Sequence, residues 1–145
     1  MSKSERRITG YLFPIPHRFV ERLFSGDKDV FVKASARVRR FRFLVAGNTI
    51  VFYDSDSHVL VGEASVKKIE CAGPSTIWDE YHSRIFLEKR EFEEYLAKAP
   101  LGPRKKAIFM TAFVLEKSKK YPKPQIAPKR VTPSGYYLPI DRTSL

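Results

Sequence analysis

Apolar positions recur along this chain in two rhythms. Between Pro16 and Gly26, the residues Phe19, Val20, Leu23 and Phe24 stand at i, i+1, i+4 and i+5, which gathers them into one stripe of a helix and leaves Arg18, Glu21 and Arg22 facing water. Pro16 suits the first turn of that helix, where its missing N–H is not needed. Gly26 follows the stripe, and a glycine there can take the left-handed conformation that ends a helix. The turn Asp27-Lys28-Asp29 then leads into an extended run, Val30 to Val32, so that Lys28 is aimed from a tight turn between helix and strand.

Elsewhere the rhythm is that of strands. Residues 11–13, 48–54 and 59–69 are rich in β-branched and aromatic side chains, and Asp54-Ser55-Asp56-Ser57 joins the last two as a hairpin loop. Gly73-Pro74-Ser75 breaks the pattern, and Thr76-x-x-Asp79 reads as a capping box opening a short helix with Trp78, Tyr81 and Ile85 on one side. A second helix is predicted over residues 88–98, with Phe92, Tyr95 and Leu96 buried and Glu88, Glu91, Glu93 and Glu94 forming a solvated face. The apolar run 107–115 is too continuous for a surface strand and is expected in the centre of a sheet, although periodicity alone also admits a buried helix. Residues 117–130 carry six bases, three prolines and no acid, and are expected to run extended over the surface rather than enter the core. Tyr136-Tyr137-Leu138-Pro139 reads as a last short strand. The predicted fold class is α+β: one domain over residues 10–145, preceded by a flexible polar lead, residues 1–9.

Charge changes the picture from fold to function. The 27 Lys and Arg exceed the 16 Asp and Glu by 11, more than solubility requires, and a polyanion is the natural partner. The excess is uneven, since residues 77–98 hold six acids against four bases. Nucleic acid fits better than an anionic membrane, because there is no long basic amphipathic helix and no apolar run near the roughly 20 residues needed to span. Arg37-Val38-Arg39-Arg40-Phe41-Arg42 interleaves four guanidinium groups with apolar side chains, a combination that holds phosphates while offering a surface for bases. Lys117, Lys119, Lys120, Lys123, Lys129 and Arg130, with Tyr121 among them, make a second basic run. Tyr53 and Trp78 are candidates to stack a base, and Glu63, after Gly62, to accept from a base edge or act as a catalytic carboxylate.

Other chemistry finds little support. His17, His58 and His82 fall on different predicted elements, and Cys71 is the single cysteine, so no metal site, disulfide or thiol mechanism is expected. All seven glycines stand singly, which excludes a Walker loop and a GxGxxG fingerprint and leaves no cofactor implied. No apolar signal core follows the polar N-terminus before Pro14, and the expected location is cytoplasmic.

The order of these segments resembles the PUA-like superfamily, which includes the ASCH and EVE domains. The resemblance rests on the helix, Ser25-Gly26-Asp27-Lys28, the strand ending in Lys33, Ala46-Gly47-Asn48-Thr49-Ile50-Val51-Phe52-Tyr53 and Val61-Gly62-Glu63-Ala64-Ser65-Val66. The opening Gly-Tyr-Leu-Phe-Pro-Ile-Pro and the ending Pro-Lys-Arg-x-x-Pro are similar to an archaeal PUA-like family, and the likeness spans about residues 10–138. It implies a small bent β-barrel flanked by helices, with a cleft beside the Gly-x-Lys turn where relatives bind RNA or a modified base. Some ASCH relatives hydrolyse an acylated cytidine with a Lys of this turn, a Thr three residues on and a later Glu. Lys28 matches the first, but Phe31 stands at the Thr position, so the resemblance does not carry that activity here.

The expected function is therefore RNA binding, of structured or modified RNA, with a nucleotide pocket of Gly26, Lys28, Lys33, Tyr53, Glu63 and Trp78 beside the two basic tracks. Two alternatives stand beside it. One is a hydrolase-like enzyme on a nucleobase, with Lys28 and Glu63 moving protons and Lys33 clamping an anion. The other is an interaction module of a translation or RNA-processing assembly, its basic face on an acidic protein.

Overall fold

The structure, a computed structural model, describes residues 8–36, 40–98 and 109–139. Six strands, β1 (Gly10–Ile15), β2 (Val30–Ser35), β3 (Thr49–Asp54), β4 (Val59–Ala72), β5 (Phe109–Gln125) and β6 (Tyr136–Leu138), form one sheet in the order β2-β5-β4-β3-β1-β6. The β1 and β3 strands run parallel, and the other neighbours are antiparallel. Three helices accompany them among the described residues: α1 (Val20–Leu23), α2 (Pro74–Tyr81) and α3 (Lys89–Lys98).

The sheet is curled into a half-barrel. Phe31 on β2 and Phe13 on β1 have ring centroids 5.0 Å apart, although their strands lie four places apart in the order. In a flat sheet four strand spacings would separate them by roughly 19 Å. The curl comes from the two long strands, whose register slips between Leu60 and Gly62, Glu63 and Ser65, and Val66 and Lys68. Each such bulge bends and twists the pair. Lys117 takes the positive φ of 54° where β5 leaves the buried region, and Gly62 lies where an added Cβ would meet Lys119 O at 2.6 Å and the Phe24 ring at 2.4 Å.

Inside the curl, Phe13, Phe31, Phe52 and Phe113 are fully buried, and Phe41 packs edge-on against Phe113 at 5.4 Å. The alternation of strand side chains divides β1 and β3 cleanly. Tyr11, Phe13, Ile15, Ile50 and Phe52 point into this core, while Leu12, Val51 and Tyr53 join a second apolar cluster with Leu60, Tyr121, Val131, Tyr136 and Leu138 on the outer face. Across that outer face runs the segment between β5 and β6.

Several predicted elements take a different form. The first helix is short: a 3-10 turn over His17–Phe19 and four residues of α1, with Phe19, Val20 and Leu23 buried as the stripe requires. Gly26 has the predicted positive φ, 91°. The α2 helix starts one turn earlier than the capping box implies, with Gly73 as N-cap and Pro74 at its first position, so Thr76 caps nothing. The run beginning at Phe109 is a strand between β2 and β4, as its continuity predicts. That strand continues through residues 117–125, so the basic segment is not a free surface strap there: Lys119 pairs with Glu63 and Lys120 with Gly62. Its prolines are tolerated because β2 has ended and one side of β5 is an edge. Glu91 also departs from a purely solvated face, accepting from Arg22 at 2.5 Å.

The far edge, β2, is covered. Tyr95 of α3 accepts the Ala34 N–H at 2.8 Å, and Val30 exchanges backbone bonds with Arg84 and Phe86. These contacts use edge groups that would otherwise be free to pair with another chain.

Candidate nucleic-acid interface

The outer face is where charge and aromatic surface meet. Residues opposite one another in an antiparallel pair share a face, so Glu63 and Lys119 project to the side on which Tyr121 donates its hydroxyl to Glu63 at 2.8 Å. Strand alternation sends Lys123 the same way and Lys120 the other, where Lys120 pairs with Glu21 of α1. The carboxylate pushes the Tyr121 hydroxyl above its ordinary pKa, after burial, the larger cause. Beyond β5 the chain turns back over the same face. Lys129 Nζ sits 4.6 Å above the Tyr136 ring, Arg130 is exposed, and Val131 and Tyr136 pack on the outer cluster.

A cavity of about 300 Å³ opens beside this segment, lined by Pro14, Tyr53, Ser55, His58, Val131 and Thr132. Tyr53 lies one residue past a register slip with its hydroxyl 3.1 Å from His58 Nδ1, and His58 takes a φ of 63°, a conformation unusual outside glycine. The sequence singles out Tyr53 as a stacking candidate but not His58. Its signal was the four-residue polar loop before it, whose tight closure forces the positive φ.

The predicted pocket residues do not converge. Lys28 and Trp78 do share a groove, of about 650 Å³, on the helical side, where Lys28 Nζ donates to Ser83 O at 2.9 Å and Trp78 packs against Phe92. Gly26 borders this region but meets nothing with a Cβ within 4 Å. Lys33 lines a different cavity, beside α3, and Tyr53 a third. Glu63 is on the outer face, bonded to Tyr121, and lines none of these three cavities, so among the described residues they do not bring Lys28 and Glu63 together for proton transfer. The cause is the pleat: Glu63 follows Gly62, whose missing side chain faces Phe24 on the helical side, so Glu63 must point outward.

The arginine cluster is also divided. Arg37 and Arg39 lie outside the described residues. Arg40 donates to Ala34 O at 3.2 Å and Ser134 O at 3.4 Å, tying β2 to the C-terminal segment. Arg42 is exposed, its guanidinium 4.8 Å over the half-exposed Phe43 ring. Lys117 is exposed at its positive-φ position.

The Domain of unknown function family DUF365 matches residues 8–139. The chain belongs to the DUF365 family. Comparison with curated proteins gave no match. Among solved structures this DUF365 chain is similar to the ASCH protein of Zymomonas mobilis, at 19% identity and a TM-score of 0.63, covering 81% of this chain and 73% of that one. It is similar as well to the N-terminal domain of McrB from Staphylothermus marinus, at 12% identity and a TM-score of 0.53, covering 87% of this chain and 81% of that one. The DUF365 chain therefore has the PUA-like, ASCH-type fold that the order of its segments resembles. Among the described residues no helix is long and apolar enough to cross a membrane.

Proposed function

We propose that the protein binds RNA, structured or carrying a modified nucleotide, across its outer face. The observation that carries this reading is the outer face on which Lys119, opposite Glu63, and Lys129, over the Tyr136 ring, stand with Tyr53, Tyr121 and Tyr136, with Lys123 and Arg130 exposed on the same stretch of chain. Cations there take phosphates, and aromatic faces take unstacked bases irrespective of sequence. Glu63, a carboxylate on this face, is engaged by Tyr121. A nucleotide turned out of the strand enters the cavity beside Tyr53 and His58, whose volume of about 300 Å³ suits one base and part of its sugar.

RNA rather than duplex DNA is favoured because the face is a broad, curved sheet carrying aromatic side chains, with no helix among the described residues projecting from it to enter a major groove. The test is a filter-binding titration of a hairpin RNA with a single-stranded loop against salt. Four phosphate contacts give a slope of log K on log salt of about −3. A slope near zero, or equal affinity for duplex DNA, overturns the reading.

A further inference from the structure

On the side of the sheet away from that face, Lys33 occupies an unusual position. It stands on the edge strand β2, in a cavity of about 280 Å³ enclosed by the end of β1, the 3-10 turn, α3 and the Phe86–Leu87 link. Its Nζ lies 5.6 Å from the Phe13 ring centroid and 5.9 Å from that of Tyr95. Among the described residues no carboxylate is within ion-pair distance of Lys33 and no acceptor within hydrogen-bond reach.

The acids at the cavity wall are already taken. Glu91 accepts from Arg22 at 2.5 Å and from the Glu88 N–H at 2.9 Å, and Glu94 is paired with Arg90 at 3.4 Å. Arg18 and Lys98, also at the wall, leave it with a positive balance. The walls themselves are flat and apolar: Phe19, Phe31, Phe86 and the Tyr95 ring. Taking an ammonium out of water costs stability, and two ring faces at 5.6 and 5.9 Å return only part of it, so a cation with no anionic or hydrogen-bonding partner among the described residues is a poor structural device. It is a good receptor for an anion.

We propose that this cavity is a binding site for a small planar aromatic anion, a single ring bearing one carboxylate or phosphate, with Lys33 Nζ receiving the anionic group and the aromatic walls receiving the ring. The site lies apart from the outer face and does not rest on the RNA reading: the two cavities share Pro14 and no charged residue. Desolvation, with a smaller contribution from Arg40, draws the pKa of Lys33 from its ordinary 10.5 down to about 8. An anion favours the charged ammonium, so affinity falls as pH rises through about 8.

The probes are nicotinate, nicotinamide and acetate, which separate ring plus charge from ring alone and charge alone. Calorimetric titration of the full chain at pH 7 is expected to give nicotinate the tightest binding, and Lys33→Met to weaken nicotinate by about tenfold or more. Lys33→Arg is expected to retain part of the affinity. Because Lys33→Met removes a buried cation that has no ion-pair partner among the described residues while keeping its apolar stem, its melting temperature should match or exceed that of the wild-type chain. Equal binding of nicotinate and nicotinamide, no detectable nicotinate binding, or unchanged nicotinate affinity in a folded Lys33→Met each overturns the proposal.

Discussion

His17 Nδ1 lies 2.5 Å from Asp54 Oδ2, joining the turn after β1 to the last residue of β3, where the hairpin loop begins. The backbone N–H of His17 donates as well, to Asp56 at 2.7 Å, and Asp54 accepts from the amides of Asp56 and Ser57. Asp54 is buried and His17 is mostly exposed, so the loop is anchored by a carboxylate held inside and a titrating ring outside.

This pair has a pH signature. The hydrogen bond and charge of Asp54 raise the His17 pKa above its ordinary 6.5, so its contribution to stability is full below 6.5 and is lost as pH rises through the raised value. Burial pushes the Asp54 carboxyl up, but the His17 bond and the loop amides outweigh it and hold the pKa below 3.8. That contribution is present above 3.8 and lost as pH falls through the lowered value. In thermal melts the gap between wild type and His17→Gln should be widest near about pH 5.5 and narrow toward about pH 9. A constant gap would mean that the ring acts only by packing.

Phe31 touches Phe13, Phe52, Phe86 and Phe113, from four different parts of the chain. It bridges the half-barrel between β2 and β1, which no strand ladder joins among the described residues. Phe31→Ala should cost about 3–5 kcal/mol in denaturant unfolding, and Phe31→Leu much less. Similar small losses for both would place the closure elsewhere.

Two glycines should respond for opposite reasons. An added Cβ at Gly62 meets the Lys119 carbonyl and the Phe24 ring, so Gly62→Ala forces β4 and β5 apart at a cost of about 1–3 kcal/mol. Gly26 has open space but a φ of 91°, so Gly26→Ala should cost only the left-handed strain, about 1–2 kcal/mol. Amide exchange distinguishes them: protection around residues 60–64 should fall in the first variant and hold in the second.

On the outer face, charge and stacking are separable. Lys129→Ala and Arg130→Ala should each flatten the salt slope of RNA binding by about 0.7 and weaken all single-stranded RNAs alike. Tyr53→Leu preserves apolar contact with Leu12 and Leu60, and should cost about 1–3 kcal/mol of RNA affinity at an unchanged slope. Equal losses for RNA and for a polyanion without bases, such as heparin, in the Tyr53 variant would show that no base enters that cavity.

The sequence by itself determined where most strands and helices lie, because side-chain periodicity and turn chemistry are local; residues 117–125, expected as a surface strap and found in β5, are the exception. Phe19, Val20 and Leu23 are buried as their spacing demands, Gly26 takes a positive φ, and the run from Phe109 is an interior strand. The order of the Gly-x-Lys turn, the Phe-Tyr strand and the Gly-Glu strand was enough to suggest the superfamily, since topology follows element order. What only the tertiary structure decided is which side chains meet. Lys28, Lys33, Tyr53 and Glu63 sit on recognisable motifs, yet they line separate places. One residue of register moves a side chain to the opposite face of a sheet, and bulges that set this register in β4 and β5 leave no mark in composition or period. The same holds for Lys33: its neighbours in sequence are those of an ordinary strand, and its isolation from every described carboxylate arises where α3 closes over the edge of β2.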